Sequence, residues 1–391
     1  MARIGIYGGA FNPPHTGHIR AAEYAVQTLN LDKLLLIPSC SSPHKPLPAG
    51  SPTPEQRLAM TKLWAGEKME VCDMELSRGG TSYTYQTVEQ LKATYPEDEL
   101  ILFMGTDMFL SFHTWKEPQR ILNCVSLAVF YRGDKGEQPA IAAKQQEYEL
   151  AGNRVYLVEN PVTEISSTQL RRMLVFRCAA PFMDERVLTH ITENGLYATA
   201  KDYRKLPMEE LEQVVINLLN PNRVRHVLGC RDTAADLARV WGADVTDAAR
   251  AGLLHDITKA LDGPLQLTLC KEYGKVLDEF SENNPKTLHA LTGSLVAERI
   301  FGENKAVVKA IESHTTGKPA MNTLEKIIYV ADYMEPNRDF PGVEDLRRLA
   351  YTDLDGALKL GLEMTLAMLK EQKRQISPAS SQALAYLEQK G

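Results

Sequence analysis

The sequence has few cysteines, no long apolar run and no surplus of positive charge. Its six cysteines are scattered and include no Cys-x-x-Cys pair, which argues against a disulfide framework and against a zinc knuckle. No apolar stretch is long enough to span a bilayer, and the N-terminus lacks the basic segment and apolar core of a signal peptide. The formal net charge of -6 gives no reason to expect a nucleic-acid partner. We therefore expect a cytoplasmic protein that binds neither membranes nor nucleic acids.

At 391 residues the chain is longer than one ordinary domain, and its two halves differ in pattern. In the first half, short apolar runs alternate with helical patterns, which predicts a Rossmann-like α/β domain with a parallel sheet. The predicted strands are 4–7, 33–38, 69–74, 100–104, 126–131 and 154–158. From Met208 onward nearly all of the chain has helical period, which predicts an all-α domain. A polar segment, 198–206, is the predicted linker between domains 1–197 and 207–391.

The first predicted strand is joined to the first predicted helix, over 19–31, by a segment rich in glycine, proline and histidine. Gly8 and Gly9 permit a tight turn and let backbone N–H groups approach a phosphate, and the following helix start favours an anion. His15 and His18 lie three residues apart at this helix start, so both imidazoles can donate to one phosphate group. We interpret the segment as a nucleotide triphosphate site rather than as a helix cap with a core histidine.

Polar residues also follow other predicted strands of this half, and open parallel sheets bind ligands at strand ends. The loop after the second strand carries His44 and Lys45, which would meet a phosphate there. The strand 100–104 runs into Gly105 and Asp107, which combine close backbone approach with a carboxylate for a ribose. In the segment 165–172, serines cap a predicted helix and an arginine follows one turn inside it, which suits an anion clamp.

These segments resemble those of the HxGH nucleotidyltransferase family, and within it the bacterial nicotinate mononucleotide adenylyltransferases. The segment from Gly8 to His18 matches the first signature of the family, and the Ile-Ser-Ser-Thr-x-x-Arg sequence of 165–171 matches the second, in the same order. The second signature also differs from the lysine-rich one of class I aminoacyl-tRNA synthetases. The resemblance implies the nucleotidyltransferase fold for the first domain.

The same resemblance implies an activity and a set of site residues. The activity is transfer of AMP from Mg-ATP to nicotinate mononucleotide, and an enzyme that uses nicotinamide mononucleotide is the alternative. The implied catalytic residues are His15, His18, Lys45 and Arg171. The implied substrate-binding residues are Gly8, Gly9, Phe11, His44, Tyr83, Thr84, Gly105, Asp107, Trp115, Ile165, Ser166, Ser167 and Thr168.

Four of the nine histidines of the chain lie in the helical half, on separate predicted helices at or near apolar faces: His226, His255, His289 and His314. Alone, each is more often a satisfied core residue. Asp256 and Asp332 also lie in apolar stretches, and a buried carboxylate needs a partner such as a metal ion. Imidazole and carboxylate ligands together suit iron, manganese or zinc better than magnesium.

The ordered set, with Arg223 three residues before His226, resembles the HD phosphohydrolase superfamily. The residues around His314 and Asp332 are most similar to those of its symmetrical diadenosine tetraphosphate hydrolases. The resemblance implies a dinuclear metal centre, with iron as the expected metal, that splits diadenosine tetraphosphate into two ADP. One ion would be held by His226, His255, Asp256 and Asp332, and the second by Asp256 with His289 and His314.

The whole chain is therefore predicted to be a bifunctional enzyme whose substrates are ATP, nicotinate mononucleotide and diadenosine tetraphosphate. The metal ligands indicate the type of reaction and not the leaving group. A nucleoside monophosphate phosphatase and a non-catalytic nucleotide sensor therefore remain alternatives for the second domain. The sequence leaves open whether the chain forms a homo-oligomer.

Overall fold

The computed structural model describes residues 1–41, 46–131, 136–159 and 165–389. The chain forms two compact units, Met1–Lys201 and Asp202–Gly391. The predicted linker 198–206 includes the boundary between them. In the described part of the chain, no helix is both long and apolar enough to cross a bilayer.

The first unit contains a six-stranded parallel sheet in the order β3-β2-β1-β4-β5-β6. The strands are β1 (Arg3–Gly9), β2 (Lys33–Pro38), β3 (Met69–Val71), β4 (Glu99–Gly105), β5 (Ser126–Tyr131) and β6 (Val155–Glu159). The central residues of β2, β4 and β5 are buried whichever face they point to, which explains why these strands read as continuous apolar runs. The predicted α/β fold of this half is confirmed.

The strand order places a ligand-binding position beside β1. This strand pairs with β2 on one side and with β4 on the other, so the chain changes direction across the sheet at this point. Ligands of open parallel sheets bind at such a switch point, beyond the carboxyl ends of the strands. Ile6 of β1 pairs with Leu102 of β4, so the ends of these strands, at Gly9 and Gly105, lie at the same edge of the sheet.

Helices connect the strands of the first unit. They are α1 (Thr16–Thr28), α2 (Pro54–Trp64), α3 (Met74–Arg78), α4 (Thr84–Thr94), α5 (Thr106–Leu110), α6 (Pro118–Leu122), α7 (Gln138–Leu150), α8 (Ser167–Val175) and α9 (Glu185–Glu193). The prediction of a strand over 69–74 was wrong at its end, because Met74 begins α3. The apolar side chain of Met74 packs against the core from this helix, so in the sequence it looks like one more residue of the strand. Helix α4 has a polar first turn, from Thr84 to Thr87, which hides the start of its helical period in the sequence.

The described part of the second unit is helical, which confirms the predicted all-α architecture. Its helices are α10 (Met208–Leu218), α11 (Val224–Trp241), α12 (Val245–Leu254), α13 (Gly263–Glu272), α14 (Glu279–Asn283), α15 (His289–Arg299), α16 (Lys305–Ser313), α17 (Thr323–Met334), α18 (Val343–Ala350), α19 (Leu354–Glu371) and α20 (Pro378–Glu388). Short 3-10 turns occur in both units: in the first at Phe112–Thr114, Ala180–Phe182 and Leu196–Ala198, and in the second at Pro221–Arg223 and Pro285–Thr287.

The sequence predicted that all four histidines of the second unit lie on helices. This prediction is wrong for two of them. His226 lies within α11 and His289 begins α15. His255 and His314 instead follow the last residues of α12 and α16 and form their C-caps. A helix end leaves carbonyl groups without intrahelical partners, and a histidine at this position can donate to one of them.

Candidate active sites

The first candidate site lies where β1 leads into α1. His15 forms the N-cap of α1, which places His18 in the first turn of the helix. The centroids of the two imidazole rings are 3.7 Å apart. The two histidines therefore lie side by side at a helix N-terminus, where backbone N–H groups and the helix dipole favour an anion.

The backbone of His15 determines which nitrogen of His18 carries the hydrogen. Its N–H donates to Nδ1 of His18 at 3.2 Å, so in neutral His18 the hydrogen lies on Nε2. Burial lowers the pKa of His15 to about 4. Burial, and then repulsion from His15, hold the pKa of His18 well below its ordinary value. Both imidazoles are therefore neutral at pH 7, and His18 presents Nε2–H as a hydrogen-bond donor.

A cavity of about 1080 Å³ adjoins these histidines, and its lining includes the ends of β1 and β4. Its size and mixed lining are typical of a small-molecule site. The predicted site residues that line it are Gly8, Gly9, Phe11, His15, His18, Tyr83, Thr84, Gly105, Asp107, Trp115, Ile165, Ser166, Ser167, Thr168 and Arg171. The predicted residues His44 and Lys45 lie outside the described residues. The structure thus brings all the other predicted residues of this site to one cavity.

The two signature segments are in direct contact, although they are far apart in the sequence. Nη1 of Arg171, on α8, donates to the carbonyl oxygen of Asn12 at 2.7 Å, and its Nη2 donates to Oγ1 of Thr168 at 3.0 Å. The hydroxyl of Ser167 donates to the carbonyl oxygen of Pro13 at 3.3 Å. The start of α8 therefore holds the loop that precedes the histidines.

An aromatic and cationic group lines the cavity near the start of α4. Tyr83 is the N-cap of α4 and Thr84 its first residue. Nζ of Lys116 lies 4.2 Å from the centroid of the Tyr83 ring, which is a cation–π contact. Trp115 packs on Phe112, with 5.2 Å between ring centroids. Lys116 lines the cavity but was missed by the sequence reasoning, because no local pattern distinguishes it from a solvated lysine.

A buried carboxylate, that of Glu75, also lines the cavity and was missed. Its Oε1 accepts a hydrogen bond from Oγ1 of Thr87 at 2.7 Å, and Nη2 of Arg78 donates to the same hydroxyl at 2.9 Å. Glu75 directly follows the strand predicted over 69–74, in a stretch for which no site residue was predicted. No signal in the sequence therefore indicated that its side chain would face the cavity.

The second candidate site lies where α11, α12, α15, α16 and α17 meet. Three of its histidines donate Nδ1–H to the carbonyl oxygen three residues earlier: His255 to Gly252 at 2.7 Å, His289 to Lys286 at 2.9 Å, and His314 to Ile311 at 2.7 Å. Because a carbonyl oxygen can only accept, Nδ1 of each ring carries a hydrogen, and Nε2 is the nitrogen that each ring in its neutral form can offer to a metal ion. This arrangement is typical of histidines that bind metal ions, whose second nitrogen is held by a hydrogen bond.

Asp256 lies between two pairs of histidines. Its Oδ2 is 3.6 Å from Nε2 of His226 and 3.5 Å from Nε2 of His255. Its Oδ1 is 3.5 Å from Nε2 of His289 and 3.8 Å from Nε2 of His314. The two oxygens of one carboxylate therefore face different ligand pairs. This arrangement would allow one carboxylate to bridge two metal ions.

The donor atoms of this site fit a divalent metal ion. Two groups of residues each bring their donor atoms within 4.8 Å of one another: His226, His255 and Asp332 form the first group, and His255, Asp256 and His314 form the second. Oδ1 of Asp256 is buried and has no hydrogen-bond partner among the described residues. A buried carboxylate oxygen without a partner is costly unless a cation faces it. The donor set does not distinguish iron from manganese or zinc.

Three basic side chains contact the ligand set. Nε of Arg223 donates to Oδ2 of Asp256 at 2.7 Å. Nη2 of Arg338 donates to Oδ1 of Asp332 at 2.6 Å. Nζ of Lys259 lies 2.9 Å from Nε2 of His289. Each cation is partly exposed, so positive charge reaches the surface beside both carboxylates.

Glu335 is the acidic residue of this site that the sequence reasoning missed. It is buried directly after α17 and next to His226. Its Oε2 accepts hydrogen bonds from the backbone and side-chain N–H groups of Asn337, both at 2.8 Å. Its spacing of three residues from Asp332, about one helical turn, could have indicated that the two carboxylates lie near each other.

Comparisons with known proteins match the two halves of the chain separately. The cytidylyltransferase-like family model matches residues 6–173, and the HD domain model matches residues 223–337. A protein of Desulfatibacillum aliphaticivorans named "Probable nicotinate-nucleotide adenylyltransferase" is 35% identical over 217 residues, which cover 50% of this chain and 99% of that protein. A symmetrical bis(5'-nucleosyl)-tetraphosphatase of Halalkalibacterium halodurans is 41% identical over 167 residues, which cover 42% of this chain and 89% of that protein.

A solved structure from Clostridium acetobutylicum, described as a predicted HD superfamily hydrolase involved in NAD metabolism, is 36% identical with a TM-score of 0.47. The match covers 48% of this chain and 99% of that one. Each of the two sequence relatives is covered almost completely, by a different half of this chain. The chain therefore belongs to two families, through its first half to the cytidylyltransferase-like nicotinate-nucleotide adenylyltransferases and through its second half to the HD-domain symmetrical bis(5'-nucleosyl)-tetraphosphatases.

Proposed function

We propose that the chain is a bifunctional enzyme whose functional domains are 1–197 and 207–391, joined by the linker 198–206. The first domain would transfer AMP from Mg-ATP to nicotinate mononucleotide, giving nicotinate adenine dinucleotide and pyrophosphate. The observation that supports this activity is the single cavity lined by both signature segments and by the paired histidines.

In this reaction a phosphate oxygen of the mononucleotide attacks the α-phosphorus of ATP, and the bond from that phosphorus to pyrophosphate breaks. The protein contributes orientation and hydrogen-bond donors for the charge that develops. Nε2–H of His18 would donate to a phosphate oxygen, and His15 beside it would donate as well. Arg171 would hold a phosphate with those N–H groups that do not bind Asn12 and Thr168. Magnesium bound to ATP would withdraw charge from the departing pyrophosphate.

Competition between the two pyridine mononucleotides tests this proposal. The protein is incubated with Mg-ATP and equal concentrations of nicotinate and nicotinamide mononucleotide, and the dinucleotide products are separated by chromatography. We expect nicotinate adenine dinucleotide as the main product. NAD as the main product would overturn the substrate, and the absence of both products would overturn adenylyl transfer.

The second domain would hydrolyse diadenosine tetraphosphate to two ADP. The observation that supports this activity is the position of Asp256, whose two oxygens face different pairs of histidines. Two divalent ions held by this set would supply a nucleophile from water at neutral pH and stabilise negative charge on the phosphates. We propose iron as the metal, because the resemblance to the HD phosphohydrolases implies it and imidazole and carboxylate ligands suit it. Arg223 and Arg338 would hold the carboxylates of Asp256 and Asp332 in place.

Metal analysis of anaerobically purified protein, followed by incubation with diadenosine tetraphosphate, tests the second activity. We expect about two equivalents of metal and ADP as the sole nucleotide product. Turnover of nucleoside monophosphates but not of the tetraphosphate would identify a phosphatase, and protein without metal or turnover would identify a sensor. The relatives, which are named as tetraphosphatases, do not favour these two alternatives.

A further inference from the structure

Arg57 is a buried arginine beneath the first candidate site. It lies on α2, its exposed fraction is 0%, and it is among the largest fully buried side chains of the described chain. Its guanidinium contacts backbone carbonyls and forms no ion pair within the described residues. Buried charges are normally paired with an opposite charge. An unpaired cation behind a cavity that would bind a triphosphate therefore suggests a role in that binding.

The guanidinium joins the loops that follow two neighbouring strands. Nη1 donates to the carbonyl oxygen of Ala10, after β1, at 2.7 Å. Nη2 donates to the carbonyl oxygens of Ser39 and Cys40, after β2, at 2.7 Å and 3.1 Å. Ala10 and Ser39 both line the cavity. One side chain thus determines the position of two cavity-lining loops relative to each other.

The loop after β1 has a backbone conformation that needs such support. Phe11 has a φ of 44°, in the left-handed region that side chains other than glycine disfavour. Arg57 holds the carbonyl of the peptide that leads into Phe11, and because C=O and N–H of a trans peptide point in opposite directions, the N–H of Phe11 points away from Arg57. The ring of Phe11 also packs against Trp64 of the same helix, with 6.0 Å between centroids.

The buried face of α2 forms a platform for this loop. Arg57, Met60, Thr61 and Trp64 are buried and have the spacing of one helix face. Oγ1 of Thr61 donates to the carbonyl oxygen of Arg57 at 2.8 Å. The charge of Arg57 acts from a region that water does not reach, where screening is weak.

We propose that Arg57 is a positioning residue for the nucleotide. It holds the loops after β1 and β2 in the conformation that binds the triphosphate of ATP, and it adds a buried positive charge behind them. This role rests on the proposed adenylyl transfer of the first domain. In the sequence, Arg57 is a charged residue at a position of the apolar face of a helix. The local pattern alone does not distinguish such a residue from an interruption of the apolar face.

Kinetics and hydrogen exchange of two variants test the proposal. Arg57→Lys keeps the charge but replaces the planar fork, whose two nitrogens reach different loops, with a single ammonium nitrogen, and Arg57→Met removes both charge and bridge. The matched control is Arg186→Lys, because Arg186 pairs with Asp184 at the surface and does not line the cavity. We expect R57K to raise the KM for ATP about tenfold, as loss of a charge-assisted hydrogen bond does. We expect R57M to raise it further and R186K to leave it unchanged.

Amide hydrogen exchange separates positioning from a purely structural role. In R57K we expect faster exchange in peptides that cover residues 8–12, with unchanged exchange in β4. Faster exchange throughout the first unit, with a lower apparent kcat and an unchanged KM, would show a purely structural role and overturn the proposal. An unchanged KM together with unchanged exchange would overturn it as well. If the unaltered protein shows no adenylyl transfer, the proposed function fails, while the exchange comparison still tests whether Arg57 holds the loops.

Discussion

Oε1 of Glu335 lies 3.1 Å from Nδ1 of His226. The other nitrogen of this ring, Nε2, faces the metal-ligand candidates, 3.1 Å from Oδ1 of Asp332 and 3.2 Å from Nε2 of His255. The buried carboxylate therefore orients the ring and favours the tautomer that leaves Nε2 free to bind a metal ion.

We expect Glu335→Ala to weaken metal binding about 10- to 100-fold, because the ring of His226 loses the group that orients it. Glu335→Gln keeps an acceptor oxygen but not the charge, and should have a smaller effect. Competition with a metal-binding dye measures the affinity, and Glu344→Ala is the control, since Glu344 is exposed and pairs with Arg347. Equal affinities of E335A and E344A would contradict this role.

The two sides of Asp256 predict different metal stoichiometries. His289→Ala removes a donor that faces only Oδ1, so we expect the metal content to fall from about two equivalents to about one. Asp256→Ala removes the carboxylate that faces both pairs and should lower the content below that of H289A. Elemental analysis of the purified variants checks this order. Loss of both ions in H289A, with retained helix content, would contradict the assignment of two separate sides.

His18→Ala is expected to reduce adenylyl transfer about 100-fold or more, because it removes a donor to charge that develops in the transition state. Hydrolysis of diadenosine tetraphosphate by the same variant should be unchanged. His190→Ala is a suitable control, since His190 lies on α9 and does not line the cavity. If both activities of H18A fell together in folded protein, two independent sites could not explain the result.

Burial of His15 predicts a dependence of stability on pH. Its pKa is lowered from 6.5 to about 4, so between these values the unfolded chain binds a proton that the folded chain does not. The free energy of unfolding is therefore unaffected by this group above about pH 6.5. As the pH falls toward 4, it decreases by up to about 3 kcal/mol.

Two measurements check this sign. Nuclear magnetic resonance titration should give the His15 ring a midpoint well below 6, with the signal identified by its absence in His15→Gln. Urea unfolding at pH 7 and pH 5 should show a larger loss of stability for the unaltered protein than for H15Q. An equal loss in both proteins would contradict the burial of a neutral imidazole.

Local patterns explain most of what could be predicted about the fold. The apolar runs at 33–38 and 126–131 correspond to β2 and β5, because strands covered on both faces have no polar side to interrupt them. The prediction failed where an apolar residue next to a strand belongs to a helix. Met74 continues the pattern of the strand, but its side chain packs against the core from α3. Helix α7 was not predicted, because only Ile141 and Tyr148 of it are buried and its apolar stripe is weak.

The two classes of domain and the types of residue at each site follow from the amino-acid sequence, because strand and helix periods and short signatures are local properties of the chain. The partners of these residues follow from the packing of distant segments. Arg57 reaches Ala10, and Glu335 reaches His226 across 109 residues of chain. The partner of a buried charge depends on which distant segments pack together, and that information is absent from any single stretch of sequence.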